Sequence, residues 1–166
     1  MIFELSRALR DLLGEELATL ALRAPGTGEA VYRSPILTIC PVGPFQPQGE
    51  ADTPGVVIAP VSWQETDGRG QASVKMLCQV WTAEAQPEAG LETLATLAAA
   101  IRRAIRSRRM LDRHFELCRA LVCLRNIETA HPYYRGEMLT IWSFPAPAGR
   151  QGLEEELDVF ASGYPE

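Results

Sequence analysis

The residues of this chain that could do chemistry are few and scattered. The two histidines, His114 and His131, stand apart, one behind an arginine-rich stretch and the other before a proline. A zinc site recruits several His or Cys ligands in tight local spacings, and Cys40, Cys78, Cys118 and Cys123 contain no CxxC pair. Their apolar neighbours and a reducing compartment suit free, buried thiols. Carboxylates cluster at Glu15-Glu16 and at Glu154-Glu155-Glu156. General acid–base work needs a dry cleft that shifts their pKa, whereas these runs sit in polar, solvent-facing sequence. No GxSxG elbow, HExxH, P-loop or Rossmann glycine pattern occurs. Gly26-Thr27-Gly28 is too short to cradle a phosphate and marks a turn. The expectation is a protein with no catalytic residue, no cofactor and no bound metal: not an enzyme.

The strongest electrostatic feature is a run of arginines, Arg102, Arg103, Arg106, Arg108, Arg109 and Arg113. Three uses compete for it. Cations suit the negative C-terminal end of a helix dipole and can simply be solvated there. Arginine is enriched at protein interfaces. It also neutralises nucleic-acid phosphates. The net charge of −5 argues mildly against a dedicated nucleic-acid binder, and no aromatic residues interleave the run to stack on bases. An interface is the sharper reading and a solvated helix end the plainer one. Every basic residue except Lys75 is arginine, which points to coding bias more than to design.

The elements that must position these residues follow from periodicity. The chain of 166 residues is 46% hydrophobic and 22% charged, which fits one globular domain. Ile2, Leu5, Leu9, Leu12 and Leu13 fall on one face of an N-terminal helix, which Gly14 threatens to interrupt. That stretch lacks the unbroken apolar core of a secretion signal, and no apolar run reaches the length of a membrane span. A soluble chain, cytoplasmic during assembly and without membrane contact, is expected. Ala30–Ile39 reads as a strand broken at Pro35. Pro41–Pro54 reads as a long loop, because its prolines lock φ and remove N–H donors.

Gly55–Trp63 is apolar and β-branched. In Ser73–Trp81, Val74, Met76, Cys78 and Val80 alternate with Lys75, Leu77, Gln79 and Trp81, so both faces of a strand carry apolar residues. Asp67-Gly68 within Gln64–Gln71 signals the hairpin turn between them. Pro87 suits a helix first turn. Leu91, Leu94, Leu97, Ala98, Ile101 and Ile105 then form a stripe that anchors one long helix on the sheet. Leu117–Ile127 and Glu137–Phe144 read as two more strands joined by Glu128–Gly136. The predicted fold is α+β: a mixed or antiparallel sheet of about four to five strands, one long helix packed on it, and the N-terminal helix. It occupies residues 1–148, and 149–166 form an acidic C-terminal tail. One helix cannot cover both apolar faces, and a heterologous contact over the surplus closes into a cyclic assembly.

Four features, taken in order, carry a family resemblance. Thr53-Pro54-Gly55-Val56-Val57-Ile58-Ala59-Pro60 matches a strand entered through a threonine–proline step. Val74–Trp81 matches its alternating partner strand. Leu91–Arg109 matches a helix with repeated Leu/Ile and Arg. Pro132-Tyr133-Tyr134-Arg135-Gly136-Glu137-Met138, with Trp142, matches a proline–aromatic turn followed by Gly, Met and Trp. Over about two-thirds of the chain, this set resembles the tail-terminator and tail-completion proteins of tailed phages and of related contractile or non-contractile particles, prophage-borne ones included.

The resemblance implies a structural protein: a ring, of six subunits in expectation, that caps the head-proximal end of the tail tube. It would stop tube polymerisation and offer the head-joining surface. Its implied partners are itself, the tail tube protein, a sheath, and a head-completion or connector protein. DNA only passes through the lumen, and the protein ends up in a virion or tail-like particle. A head–tail connector or baseplate subunit, or a nucleic-acid-binding accessory protein using the arginine helix, are the alternatives. The residues expected at protein interfaces are Arg102, Arg103 and Arg106 on the helix, Gln64, Asp67 and Arg69 on the first hairpin, and Tyr133, Tyr134 and Arg135 on the last.

Overall fold

A computed structural model describes residues 2–40, 49–119 and 124–146. Helix α1 spans Ile2–Glu16. Two-residue strands β1 (Leu22–Arg23) and β2 (Tyr32–Arg33) form a small antiparallel ladder. Then come β3 (Ile36–Ile39), a single 3-10 turn at Glu50–Asp52, β4 (Gly55–Thr66) and β5 (Arg69–Trp81). Helix α2 covers Pro87–Ser107. The chain ends its described part with β6 (Met110–Leu111), β7 (Phe115–Arg119), β8 (Arg125–Ala130) and β9 (Tyr133–Pro145).

The fold is α+β. One seven-stranded sheet runs β3-β4-β5-β9-β7-β6, and β8 joins β9 on the edge that β7 leaves open. The sheet is mixed: β3 lies parallel to β4 and the other pairs are antiparallel. Its centre is the β5–β9 ladder, in register from Arg69↔Pro145 to Trp81↔Tyr133.

The core forms on one face of this sheet. Val74, Met76, Cys78 and Val80 of β5 meet Leu94, Leu97, Ile101 and Ile105 of α2 and Leu5, Leu9, Leu12 and Leu13 of α1. These large aliphatics are essentially inaccessible, and each contributes about 1.5–3 kcal/mol on burial. Both helices therefore cover the same face, and the long helix does not carry the core alone. α1 passes straight through Gly14, whose bare Cα sits over Leu37. At Gly90 a Cβ would lie 2.2 Å from the buried Tyr134 ring, so glycine lets α2 approach β9.

Several expectations are corrected. Among the described residues the sheet has seven strands rather than four or five, because the two-residue β6 is too short to show a period and one predicted strand divides in two, while the strand read over Ala30–Ile39 is broken at Pro35 into β2 and β3. The single strand read over Leu117–Ile127 divides between β7 and β8, with 120–123 outside the described residues. The connection read over Glu128–Gly136 shrinks to the turn His131–Pro132, since β8 and β9 take up its flanks. Of the long proline-rich loop, 41–48 lie outside the described residues, as do 147–148 and the whole acidic tail, 149–166.

Candidate interaction surfaces

The hairpin tip at Asp67-Gly68 and the β8–β9 turn at His131–Pro132 lie at opposite ends of the β5–β9 ladder. At about 3.3 Å per residue, the thirteen residues of β5 separate them by roughly 40 Å. The molecule thus offers two ends, and the candidate residues divide between them.

At the β8–β9 end, polar side chains are tied together across four strands' worth of chain. Gln79 is fully buried on the sheet face opposite the helices. Its amide donates to the hydroxyl of Thr53, and its carbonyl accepts from Arg135 Nε at 2.6 Å. Arg135 also approaches Glu128, 4.0 Å away. Thr53 in turn donates to the carbonyl of Gly49 at 3.0 Å. The guanidinium of Arg33 donates to the carbonyls of Glu50, Ala51 and Thr53, holding the 3-10 turn against the start of β4. Burial raises the pKa of the Tyr133 phenol, and the charge and hydrogen bond of Glu50 raise it further. Arg23 lies over the Trp81 ring at 5.3 Å, within the range of a cation–π contact. Nearby on the core face, burial pushes the Cys78 thiol up to about 12, which leaves it protonated and inert.

The opposite end is built differently. A bulge between Pro60 and Ser62 shifts the β4 register, so that Trp63 pairs with Ala72 on the core side. Trp63 stacks on Phe144 at 3.8 Å, and Phe144 meets Phe115 edge-on at 6.0 Å. The Phe144 ring occupies the space a Cβ on Gly70 would need, 2.0 Å away. Beyond this plug the hairpin turns through Asp67 and Gly68, both at positive φ, as two-residue hairpins require. The C-terminal end of α2 and the β6–β7 turn come to the same end. There Gly68, Arg69, Met110, Arg113, His114 and Phe144 line a groove of about 390 Å³.

The expected interface residues fall as follows. Gln64, Asp67 and Arg69 are exposed at the hairpin end, and Arg102, Arg103 and Arg106 are exposed along α2. None of these three helix arginines pairs with a described acid; Arg108 does, with Glu15 at 2.8 Å. Tyr133 and Arg135 join the polar network at the other end. Tyr134, one residue between them, points the other way and is a core side chain with 1% exposure. Alternation along β9 dictates this, and Tyr134 is withdrawn from the interface set. The sequence reading missed Thr53, Gln79 and Arg33. A Gln flanked by the apolar run Met76–Cys78 and Val80–Trp81 was the available signal, since such a side chain needs buried partners.

The face opposite the helices is mixed rather than apolar. Val57 and Leu77 lie beside Lys75, which pairs with Glu137 at 3.1 Å, and beside Gln79. Among the described residues, no three His, Cys, Asp or Glu side chains gather as a metal site would require, and no helix is long and apolar enough to cross a membrane. No family model matches the chain, and no curated protein matches it.

Proposed function

We propose that this protein is an assembly subunit of a phage-like tail, a terminator that caps the head-proximal end of the tail tube as a closed ring. The observation that carries the reading is a rigid sheet with unlike surfaces at its two ends. A tube grows by adding ring on ring, so its end ring always exposes the surface a successor would use. A terminator must bind that surface and present a different one outward. The tied polar network and the arginine-lined hairpin end, roughly 40 Å apart along β5, suit those two demands. Between Gly55 and Pro145 the order is two strands, a helix and four strands, and β4, β5, α2 and β9 carry the stretches on which the family resemblance rests, which supports the same reading.

Loss of the protein should leave over-long tails that fail to join heads, visible by electron microscopy of a deletion strain. Tails of normal length already joined to heads would remove the terminator role. Absent tails would assign the chain to a baseplate or initiator instead. The isolated protein should self-associate without added ligand in multi-angle light scattering, and a strict monomer at high concentration would count against the ring.

A further inference from the structure

We propose that the groove at the hairpin end is a docking site for the chain's own acidic C-terminal segment, Leu153–Phe160. The groove is cationic and partly apolar. Arg69 and Arg113 are exposed and form no ion pair with a described residue, and His114 shares the wall with them, its ring tilted against Phe115 at 4.4 Å. Met110, on the rim, is 56% exposed. Among the described residues, the one acid in the lining is Glu116.

The segment offers the complement. Glu154, Glu155, Glu156 and Asp158 supply carboxylates for the guanidinium forks, and Leu153, Leu157 and Phe160 supply apolar surface for Met110. Chain connectivity places the segment at this groove. Pro145 forms part of its wall, and the Ala146 amide is pinned to the Gly68 carbonyl at 3.2 Å. Glu154 follows eight residues later, and an extended chain covers that span in about 27 Å, ample to turn back onto Arg69 and Arg113.

A second groove of about 330 Å³ runs between α1 and β6, but there Glu4, Asp11, Glu15 and Asp112 outnumber Arg7 and Arg108, and Arg108 is already paired with Glu15. Like charges directly opposed would repel the segment there. The choice between the two grooves is therefore made by charge. Under the assembly reading, this contact would keep the hairpin end covered until a partner displaces the segment. The docking itself does not rest on that reading.

The test uses the full chain carrying Arg113→Lys, treated with a carbodiimide that joins an amine directly to a carboxylate. Mass spectrometry should find position 113 joined to Glu154, Glu155 or Glu156. Glu116, in the same groove, gives an internal control for reactivity at position 113. Mixed isotope-labelled and unlabelled protein should show the link within one chain, and 1 M salt should cut its yield several-fold, since the Debye length falls to about 3 Å. A link to Glu116 alone, links only between chains, or a yield indifferent to salt would each overturn the proposal. Tail length and self-association bear on the assembly reading separately, so the two can fail independently.

Discussion

The two ends of the sheet use the same residue in opposite ways. At the β8–β9 end, Arg33 is spent on backbone carbonyls, Arg135 on Gln79, and Arg23 on the Trp81 ring. At the hairpin end, Arg69 and Arg113 stand in solvent, as Arg102, Arg103 and Arg106 do along α2. A guanidinium whose donors are taken up within its own chain stabilises the fold. One that points into solvent contributes little to stability and keeps its donors for a partner. The composition, with arginine at every basic position but one, gives no hint of this division. Position in the fold decides it.

Alkaline titration should draw the sharpest contrast, because the two groups whose pKa is raised, Cys78 and Tyr133, both lie toward the β8–β9 end. The Cys78 pKa is raised from 9.0 to about 12 by burial. Its contribution to stability is fully present below pH 9. Above that, the unfolded chain loses the proton while the folded chain keeps it, so stability falls until pH 12. The slope is about 1.4 kcal/mol per pH unit, or roughly 4 kcal/mol over the window. Tyr133, also raised, adds a smaller loss of the same sign. Urea unfolding at several pH values should show the slope and its flattening in Cys78→Ala. Equal slopes in the two proteins would mean that the thiol is not sealed.

A smaller effect is expected from Gln79→Ala, about 2–3 kcal/mol of lost stability, because it removes a hydrogen-bond partner from both Thr53 and the half-buried Arg135. A double-mutant cycle with Arg135→Ala should give coupling above about 0.5 kcal/mol. Independent, additive losses would dissolve the network into unrelated contacts. The smallest change belongs to the arginines of α2. Replacing Arg102, Arg103 and Arg106 together with Ala should alter stability by no more than about 0.5 kcal/mol per site. Under the proposed function the same variant should weaken self-association or attachment to tail tubes. A variant that assembled normally but lost tight, salt-sensitive DNA binding would reassign these side chains to nucleic acid.

Much of the architecture is legible in the sequence by itself. The stripes Leu5-Leu9-Leu12 and Leu94-Leu97-Ile101-Ile105 announce the two helices, because a 3.6-residue period repeats several times within each. The alternation from Val74 to Val80 and the turn at Asp67-Gly68 announce the β4–β5 hairpin for a similarly local reason. β8 leaves no such trace: its six residues, Arg-Asn-Ile-Glu-Thr-Ala, are all exposed, so no buried face imposes a period.

Only the tertiary structure decided which surface each end presents. Register set Tyr134 into the core while its neighbours Tyr133 and Arg135 joined Gln79, and a bulge carried Trp63 over to Phe144. Parallel pairing of β3 with β4 brought Arg33 to the carbonyls that precede Pro54. These outcomes depend on residues far apart in the chain meeting within a few ångströms. Local periodicity specifies which side of an element is buried, but it carries no record of what will stand opposite.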